Sequence, residues 1–356
     1  MTTPHLRDDL ASMPAYKAGA APKEKSGLET FKVSANENPY APIPAIVEAI
    51  TKAAQSVQRY PDPASTRLKT KLANKYKVGI ENIQVGTGSV AVLTQLIQAS
   101  STVGNEVIFA WRSFEAYPII TKVAGAKPVT VPLTKTLEHD LDAMLNAITD
   151  KTSCILLCSP NNPTGPAIKK DAFLKFIEKV PTRILVVLDE AYTEFVRDPS
   201  AVEGIRDAWG KPNVAILRTF SKAYGMAGLR VGFCIAQPQV IETLNKVALT
   251  FGVTNLAEEA GLAALENEVE LLKRIELLVK ERERVVKVLK ENSWEFAQAD
   301  GNFIWLDLKE ESVEFANKCE EVGLSVRVFA NDGVRVTIAE EEANDRFIEV
   351  ALKFKG

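Results

Sequence analysis

Residues 216–232, ILRTFSKAYGMAGLRVG, set two hydroxyls, a lysine and an arginine beside an apolar run that stops at Arg218. Thr219, Ser221 and Arg230 are donors of the kind that hold a phosphate. Lys222 stands among them. Burial and nearby cations both lower a lysine pKa, and the free amine that results attacks carbonyls. Three further stretches carry compatible chemistry. Asp189 ends the apolar run RILVVLD, and the phenol of Tyr192 follows three residues later. Asn162 lies in SPNNPTG, directly after the apolar run SCILLC. GTGS, residues 86–89, separates a strand-like run from a helix-like one, so Gly88 and Ser89 can present backbone N–H groups to an anion. The lysine and spacing of a P-loop are missing there, and the dinucleotide glycine fingerprint is absent.

Each stretch alone has a plain structural reading. Asp189 can be a helix cap, SPNNPTG a tight turn, and Lys222 a surface lysine. Together they ask for one ligand. It carries a phosphate, an aldehyde for Lys222 and a basic ring nitrogen for Asp189. Pyridoxal 5′-phosphate has all three, and a lysine Schiff base with an aspartate on the pyridinium nitrogen is its expected arrangement.

The elements around these residues give the reason they meet. IQVG, NEVIFA, KPVTVPL, SCILLCSP, ILVVLDEA, NVAILRTF and RVGFCIA are short, apolar and rich in β-branched residues. Helix-patterned segments such as FEAYPIITKVAG and KDAFLKFIEKV lie between several of them. This alternation predicts an α/β layer with a mainly parallel sheet, whose ligands bind beyond the carboxyl ends of the strands. After residue 250 comes a long charged stretch with apolar residues at helical spacing, expected to be a solvated amphipathic helix pair. NFIWLDL, LSVRVF and GVRVTI then predict three strands of a smaller α+β unit. The first thirty residues read as an extended arm.

Composition narrows the function. The 356 residues fit one large domain or two smaller ones, and the formal charge of −3 with mixed signs argues against a nucleic-acid face. No signal segment or membrane-length apolar run stands out, so a cytoplasmic location is expected. Cys154, Cys158, Cys234 and Cys319 are expected to be buried, reduced thiols. His5 and His139 lack ligand-like neighbours, which makes a metal centre or a histidine triad unexpected.

Across nearly its whole length the chain resembles fold-type I, aspartate-aminotransferase-like enzymes, and within them the histidinol-phosphate aminotransferase group. SANENPYAP, RYPD, SPNNPTG, LDEAY, LRTFSKAYGMAGLRVG, GNFIW and GVRVTI carry the likeness. WRSFE, with an aromatic and a proline just after it, and DGVRVT are similar to aromatic amino acid aminotransferases of actinobacterial type. The resemblance implies a large doubly wound domain (36–250), a smaller C-terminal α+β domain (251–356) and an arm (1–35) that joins it. It implies that Lys222 bonds the cofactor and shuttles a proton, that Asp189 holds the ring nitrogen, and that Tyr192 and Asn162 bond its phenolic oxygen. Phe114 is placed to stack on the ring. Gly88, Ser89, Val90, Thr219, Ser221 and Arg230 would surround the phosphate, with Tyr60 reaching it from the neighbouring subunit of a homodimer. Arg335 would grip the substrate carboxylate in two-point fashion. Asn36 and Asn302 would shape that pocket, and Tyr16 would cover it from the arm.

Substrate choice is the finer question. Arg327 is a candidate second arginine for a substrate phosphate, or a strand-end surface residue. The short segment VFANDG and the WRSFEAYP stretch favour aromatic amino acids and their 2-oxo acids, with glutamate and 2-oxoglutarate as the other pair. Histidinol phosphate is the alternative. A pyridoxal lyase and a binding module that has lost the reaction are the remaining rivals.

Overall fold

The structure is a computed structural model that describes residues 4–11, 13–23 and 27–355. Residues 1–3, 12, 24–26 and 356, which belong to the expected arm and C-terminal domain, lie outside the described residues. The arm contributes a short strand β1 (Phe31–Lys32). Seven strands follow in chain order: β2 (Ile83–Gly86), β3 (Glu106–Trp111), β4 (Lys127–Pro132), β5 (Thr152–Cys158), β6 (Leu185–Asp189), β7 (Val214–Thr219) and β8 (Gly232–Ile235). They form one sheet in the order 2-8-7-6-5-3-4. Only β8 runs against its neighbours, β7 and β2; the other pairings are parallel. The α/β class with a mostly parallel central sheet is therefore as the apolar runs predict.

Those runs are apolar at almost every position because both sheet faces are covered. Ile155, Leu157, Val186, Leu188, Val214 and Ile216 enter one apolar cluster, while Leu156, Val187, Ala215 and Leu217 enter another. Each strand thus feeds alternate residues to opposite faces, the period of a pleated strand. The same alternation separates two neighbouring carboxylates. Asp189 ends β6 on the cavity side. Glu190, the next residue, joins Arg218, whose Nε donates to Glu190 Oε2 at 2.9 Å. Glu203 completes that buried cluster. Arg218, where the apolar run of the opening stretch stops, therefore serves the fold and does not line the cavity. Cys154, Cys158, Cys234 and Cys319 are buried and free.

The C-terminal layer holds β9 (Phe303–Leu306), β10 (Leu324–Ser325), β11 (Arg327–Phe329) and β12 (Gly333–Thr337). LSVRVF, expected as one strand, breaks at Val326. Its first half pairs with the arm, β1 beside β10, and its second half joins an antiparallel sheet in the order 11-12-9. That split lets one segment tie the arm to the layer behind it. The helix pair appears as Asn255–Glu266 and Glu268–Glu291, parted at Asn267. Helices that the sequence reading did not single out, Leu141–Asn146, Pro238–Val247 and Glu341–Lys355 among them, complete the layers. Among the described residues no helix is long and apolar enough to cross a membrane, and no cluster of His, Cys, Asp or Glu could hold a metal.

Candidate active site

The carboxyl ends of β2, β3, β5, β6 and β7 face one cavity of about 310 Å³, closed on the far side by the arm and the C-terminal sheet. Strand order explains the convergence. The chain runs outward from β3 to β4, then returns and continues from β5 through β8 on the other side. Such a reversal opens a crevice beyond the strand ends.

At its deep end lies Asp189, 6% exposed. Its Oδ2 accepts from the Tyr117 hydroxyl at 2.8 Å, and Oδ1 accepts from the Ala191 N–H at 3.3 Å. Burial pushes its carboxyl up to about 6, against the pull of the Tyr117 hydrogen bond. Lys222 is half-buried and points its Nζ at the Ala35 carbonyl, 2.9 Å away. Desolvation first, then the guanidinium charges of Arg335 and Arg230, bring its amine down to about 7. That is the direction expected for a lysine kept as a nucleophile. Tyr192 lines the same wall, and its hydroxyl accepts from Asn36 Nδ2 at 3.0 Å. Burial raises its phenol well above the usual range.

The other end of the cavity is built for an anion. The helix Ser89–Ser100 starts there, with Ser89 and Val90 in the lining beside Thr219, Ser221 and Arg230. Arg230 Nη1 donates to Ser221 Oγ at 3.3 Å. Gly88 has φ of +84°, and a Cβ there would fall 2.3 Å from Arg230 Nη2. Glycine alone lets the guanidinium close over the helix end. Between these poles stands Phe114, with Tyr117 edge-on behind it at 5.6 Å between ring centroids.

Arg335 arrives on β12. Its Nη2 donates to the Ser34 carbonyl at 2.6 Å, and Nη1 donates to Asn162 Oδ1. Its buried Nε has no partner. Asn162 owes its place to its neighbour. Asn161 takes a hydrogen bond from Ser113 Oγ at 2.8 Å and gives one to Thr164 Oγ1 at 2.7 Å, which locks the turn. Gly165 sits in that turn at φ +106°, 2.6 Å from the Gln298 carbonyl by its would-be Cβ.

Most sequence-predicted residues therefore meet in one lining: Tyr16, Ser89, Val90, Phe114, Asn162, Asp189, Tyr192, Thr219, Ser221, Lys222, Arg230, Arg327 and Arg335. Four stand apart. Gly88 acts through its backbone shape. Asn36 and Asn302 lie behind the wall, where Asn302 Nδ2 donates to the Asn36 carbonyl at 3.2 Å and Asn36 steadies Tyr192. Tyr60 is 81% exposed, stacked on Phe251 outside this lining. Two roles escape the sequence reading. Tyr117, close to Phe114 in FEAYP, is visible there as a second candidate for the stacking ring, but its hydrogen bond to Asp189 is not. The Ala35 carbonyl leaves no mark in side-chain chemistry.

Residues 29–350 match the family model for aminotransferase class I and II. The chain belongs to that family. Aminotransferases of this class depend on pyridoxal phosphate. A protein of Streptomyces coelicolor named aromatic amino acid aminotransferase is 50% identical, over 99% of this chain and 98% of its own length. One of Thermobifida fusca with the same name is 46% identical, over 99% and 97%. In three dimensions the chain superimposes on histidinol-phosphate aminotransferase from Sinorhizobium meliloti, in complex with pyridoxal 5′-phosphate, with TM-score 0.86. That pair is 24% identical and covers 99% of this chain and 98% of the other. A mutant aspartate aminotransferase from Thermus thermophilus gives TM-score 0.84 at 22% identity, covering 99% and 100%. At that identity the two structures speak for the fold alone.

The residues present fit this family's cofactor. The phosphate end offers a helix N-terminus, two hydroxyls and an arginine, a donor set suited to a doubly charged anion. The ring end offers the Asp189 carboxylate, and the Lys222 amine lines the same cavity. The glycine at 88 leaves the space that a side chain would fill.

Proposed function

We propose that this chain moves an amino group between aromatic amino acids and 2-oxo acids, with glutamate and 2-oxoglutarate as the second pair. The observation that carries the aromatic choice is the state of Arg327. Its Nη2 is paired with Glu115 Oε2 at 2.6 Å, and its fork also donates to the Lys17 and Ala18 carbonyls. A substrate phosphate needs an unmatched cation, and this one is matched. Around it stand the rings of Tyr16, Phe114 and Phe329, which suit an uncharged aromatic side chain. The names of the full-length relatives support the same reading.

Pyridoxal phosphate, when bound, supplies an aldehyde that captures amines and a ring that takes up an electron pair. The protein's own parts follow from position. Lys222 accepts the proton from the amino acid α-carbon and gives it back during product formation. Asp189, ionised, would hold a protonated ring nitrogen. Tyr192 and Asn162 would bond the phenolic oxygen, and Phe114 would stack on the ring. Ser89, Val90, Thr219, Ser221 and Arg230, with the Gly88 backbone, would hold the phosphate. Arg335 takes the substrate carboxylate, since its guanidinium lines the cavity and its hydrogen-bond partners there are neutral. Asn36 and Asn302 act through Tyr192. Tyr16 covers the substrate from the arm.

We also read the division 1–35, 36–250 and 251–356 as arm, cofactor domain and smaller domain, in a cytoplasmic homodimer. Support for the pairing comes from exposed Tyr60, Leu249 and Phe251, an apolar patch with Tyr60 free to serve a second copy. One experiment tests the activity: a donor and acceptor panel on purified holoenzyme. Phenylpyruvate with glutamate is expected to exceed histidinol phosphate with 2-oxoglutarate in kcat/KM by about tenfold or more. A preference for the phosphate ester by orders of magnitude selects the alternative.

A further inference from the structure

The cavity is lined by Lys32, Lys222, Arg230, Arg327 and Arg335 and by Glu37, Glu115 and Asp189. The two groups pair unevenly. Lys32 meets Glu37 at 3.2 Å, and Arg327 meets Glu115 at 2.6 Å. Arg230 hydrogen-bonds Ser221 and Ala227, and Arg335 hydrogen-bonds Asn162 and Ser34, all neutral groups. Two guanidiniums thus remain for a phosphate and a carboxylate, and the third is engaged within the protein.

We propose that Glu115 is a specificity-determining residue, which neutralises Arg327 so that any second anion on the substrate must compete with it. The inference rests on the aminotransferase reading above and deepens its substrate preference. The pair is partly sheltered, with the Arg327 side chain 14% and the Glu115 side chain 29% exposed. An incoming phosphate or distal carboxylate has to displace Glu115 and then lie beside it, a like-charge contact. An aromatic ring meets no such penalty. The Phe329 ring centroid lies 5.4 Å from the Arg327 guanidinium carbon, so that end already presents an aromatic surface. Arg327 does not depend on Glu115 for its position. Its donors reach the Lys17 carbonyl at 2.7 Å and the Ala18 carbonyl at 3.2 Å. Neutralising Glu115 therefore leaves the guanidinium in place with its charge unmatched.

The test compares wild-type holoenzyme with Glu115→Gln on phenylpyruvate, 2-oxoglutarate and histidinol phosphate. Dicarboxylate and phosphate ester are separate arms. The kcat/KM ratio of each to phenylpyruvate is expected to rise about tenfold. In Glu115→Gln combined with Arg327→Gln, that rise disappears. Ratios within twofold of wild type, or a rise that survives loss of Arg327, overturn the proposal. A second measurement guards against a poorly folded variant. Glutarate and 3-phenylpropionate are titrated into Glu115→Asp, which keeps the charge but shortens its reach, and glutarate is expected to gain affinity relative to the aromatic acid. Wild-type enzyme that transaminates none of the three substrates sinks the aminotransferase reading instead, while the binding titration still decides the role of Glu115.

Discussion

The floor of the cavity and its mouth are built on different principles. On the floor, Asp189, Tyr192 and Lys222 sit at strand ends and in the loops that follow, and burial moves each of their pKa values. Their partners are a tyrosine hydroxyl, an asparagine amide and a backbone carbonyl, all neutral. At the mouth Arg327 meets Glu115, and just outside the lining Arg112, beside the Phe329 ring, meets Asp332, charge against charge, with all four side chains partly exposed. Neutral partners in a dry site leave charge to be matched by a ligand. Ion pairs in a wetter site match charge within the protein. The floor is therefore suited to chemistry on a cofactor and the mouth to choosing what enters.

The largest effect expected from this contrast belongs to Lys222. Lys222→Ala should lower turnover by about 10⁴-fold or more, since both covalent capture and proton transfer are lost. Borohydride trapping with peptide mapping should lose its label at the same position. The pH dependence has a definite sign. The amine titrates near 7 in the folded protein against 10.5 for an ordinary lysine. The rate at which apo-protein takes up pyridoxal phosphate should thus climb through about pH 7. Between 7 and 10.5 the unfolded chain holds a proton that the folded chain has released. Apo-protein stability from this group therefore rises with pH across that window, and Lys222→Ala should flatten the rise. Uptake that is level from pH 6 to 9 would show that the floor does not tune its amine.

Much of the floor is legible in the amino-acid sequence. Asp189, Asn162, Thr219 and Lys222 all follow apolar runs, and a run of that kind is a buried strand whose end faces a crevice. The mouth is not legible in the same way. Arg327 can be read as a substrate arginine or a surface one, because its partner Glu115 is 212 residues away in sequence. The break of LSVRVF at Val326 is hidden too, since both halves are strand-like and only their partners differ. Motif places Asn36 and Asn302 in the pocket, yet burial sets them one layer back. Side-chain type tells what a residue can do; the layer it occupies depends on packing that no local pattern records.

Tyr117 should give an effect of intermediate size. It holds Asp189 Oδ2 without being charged itself, so Tyr117→Phe removes one hydrogen bond to a buried carboxylate. A loss of about tenfold in kcat/KM is expected, with weaker cofactor affinity. Without that donor the apo-protein Asp189 carboxyl should titrate above its present value of about 6. Cofactor affinity should then fall off at a higher pH than in wild type as solutions are acidified. A variant that changes activity and leaves this pH profile unmoved makes Tyr117 a packing residue only.

The smallest effect should come from just outside the mouth, at Arg112 and Asp332. Their side chains are 27% and 37% exposed, which leaves water to screen the pair. The Arg112 guanidinium also packs 4.7 Å from the Trp111 ring centroid, a contact that survives loss of the carboxylate. Asp332→Asn should therefore cost less than about 1 kcal/mol of stability, seen as a small drop in melting temperature that shrinks further in high salt. A cost several times larger, unaffected by salt, would mean that the mouth is held as firmly as the floor. The division between a rigid chemical floor and an adjustable entrance would then have no physical basis, because a pair that strong could not yield to substrates of different charge.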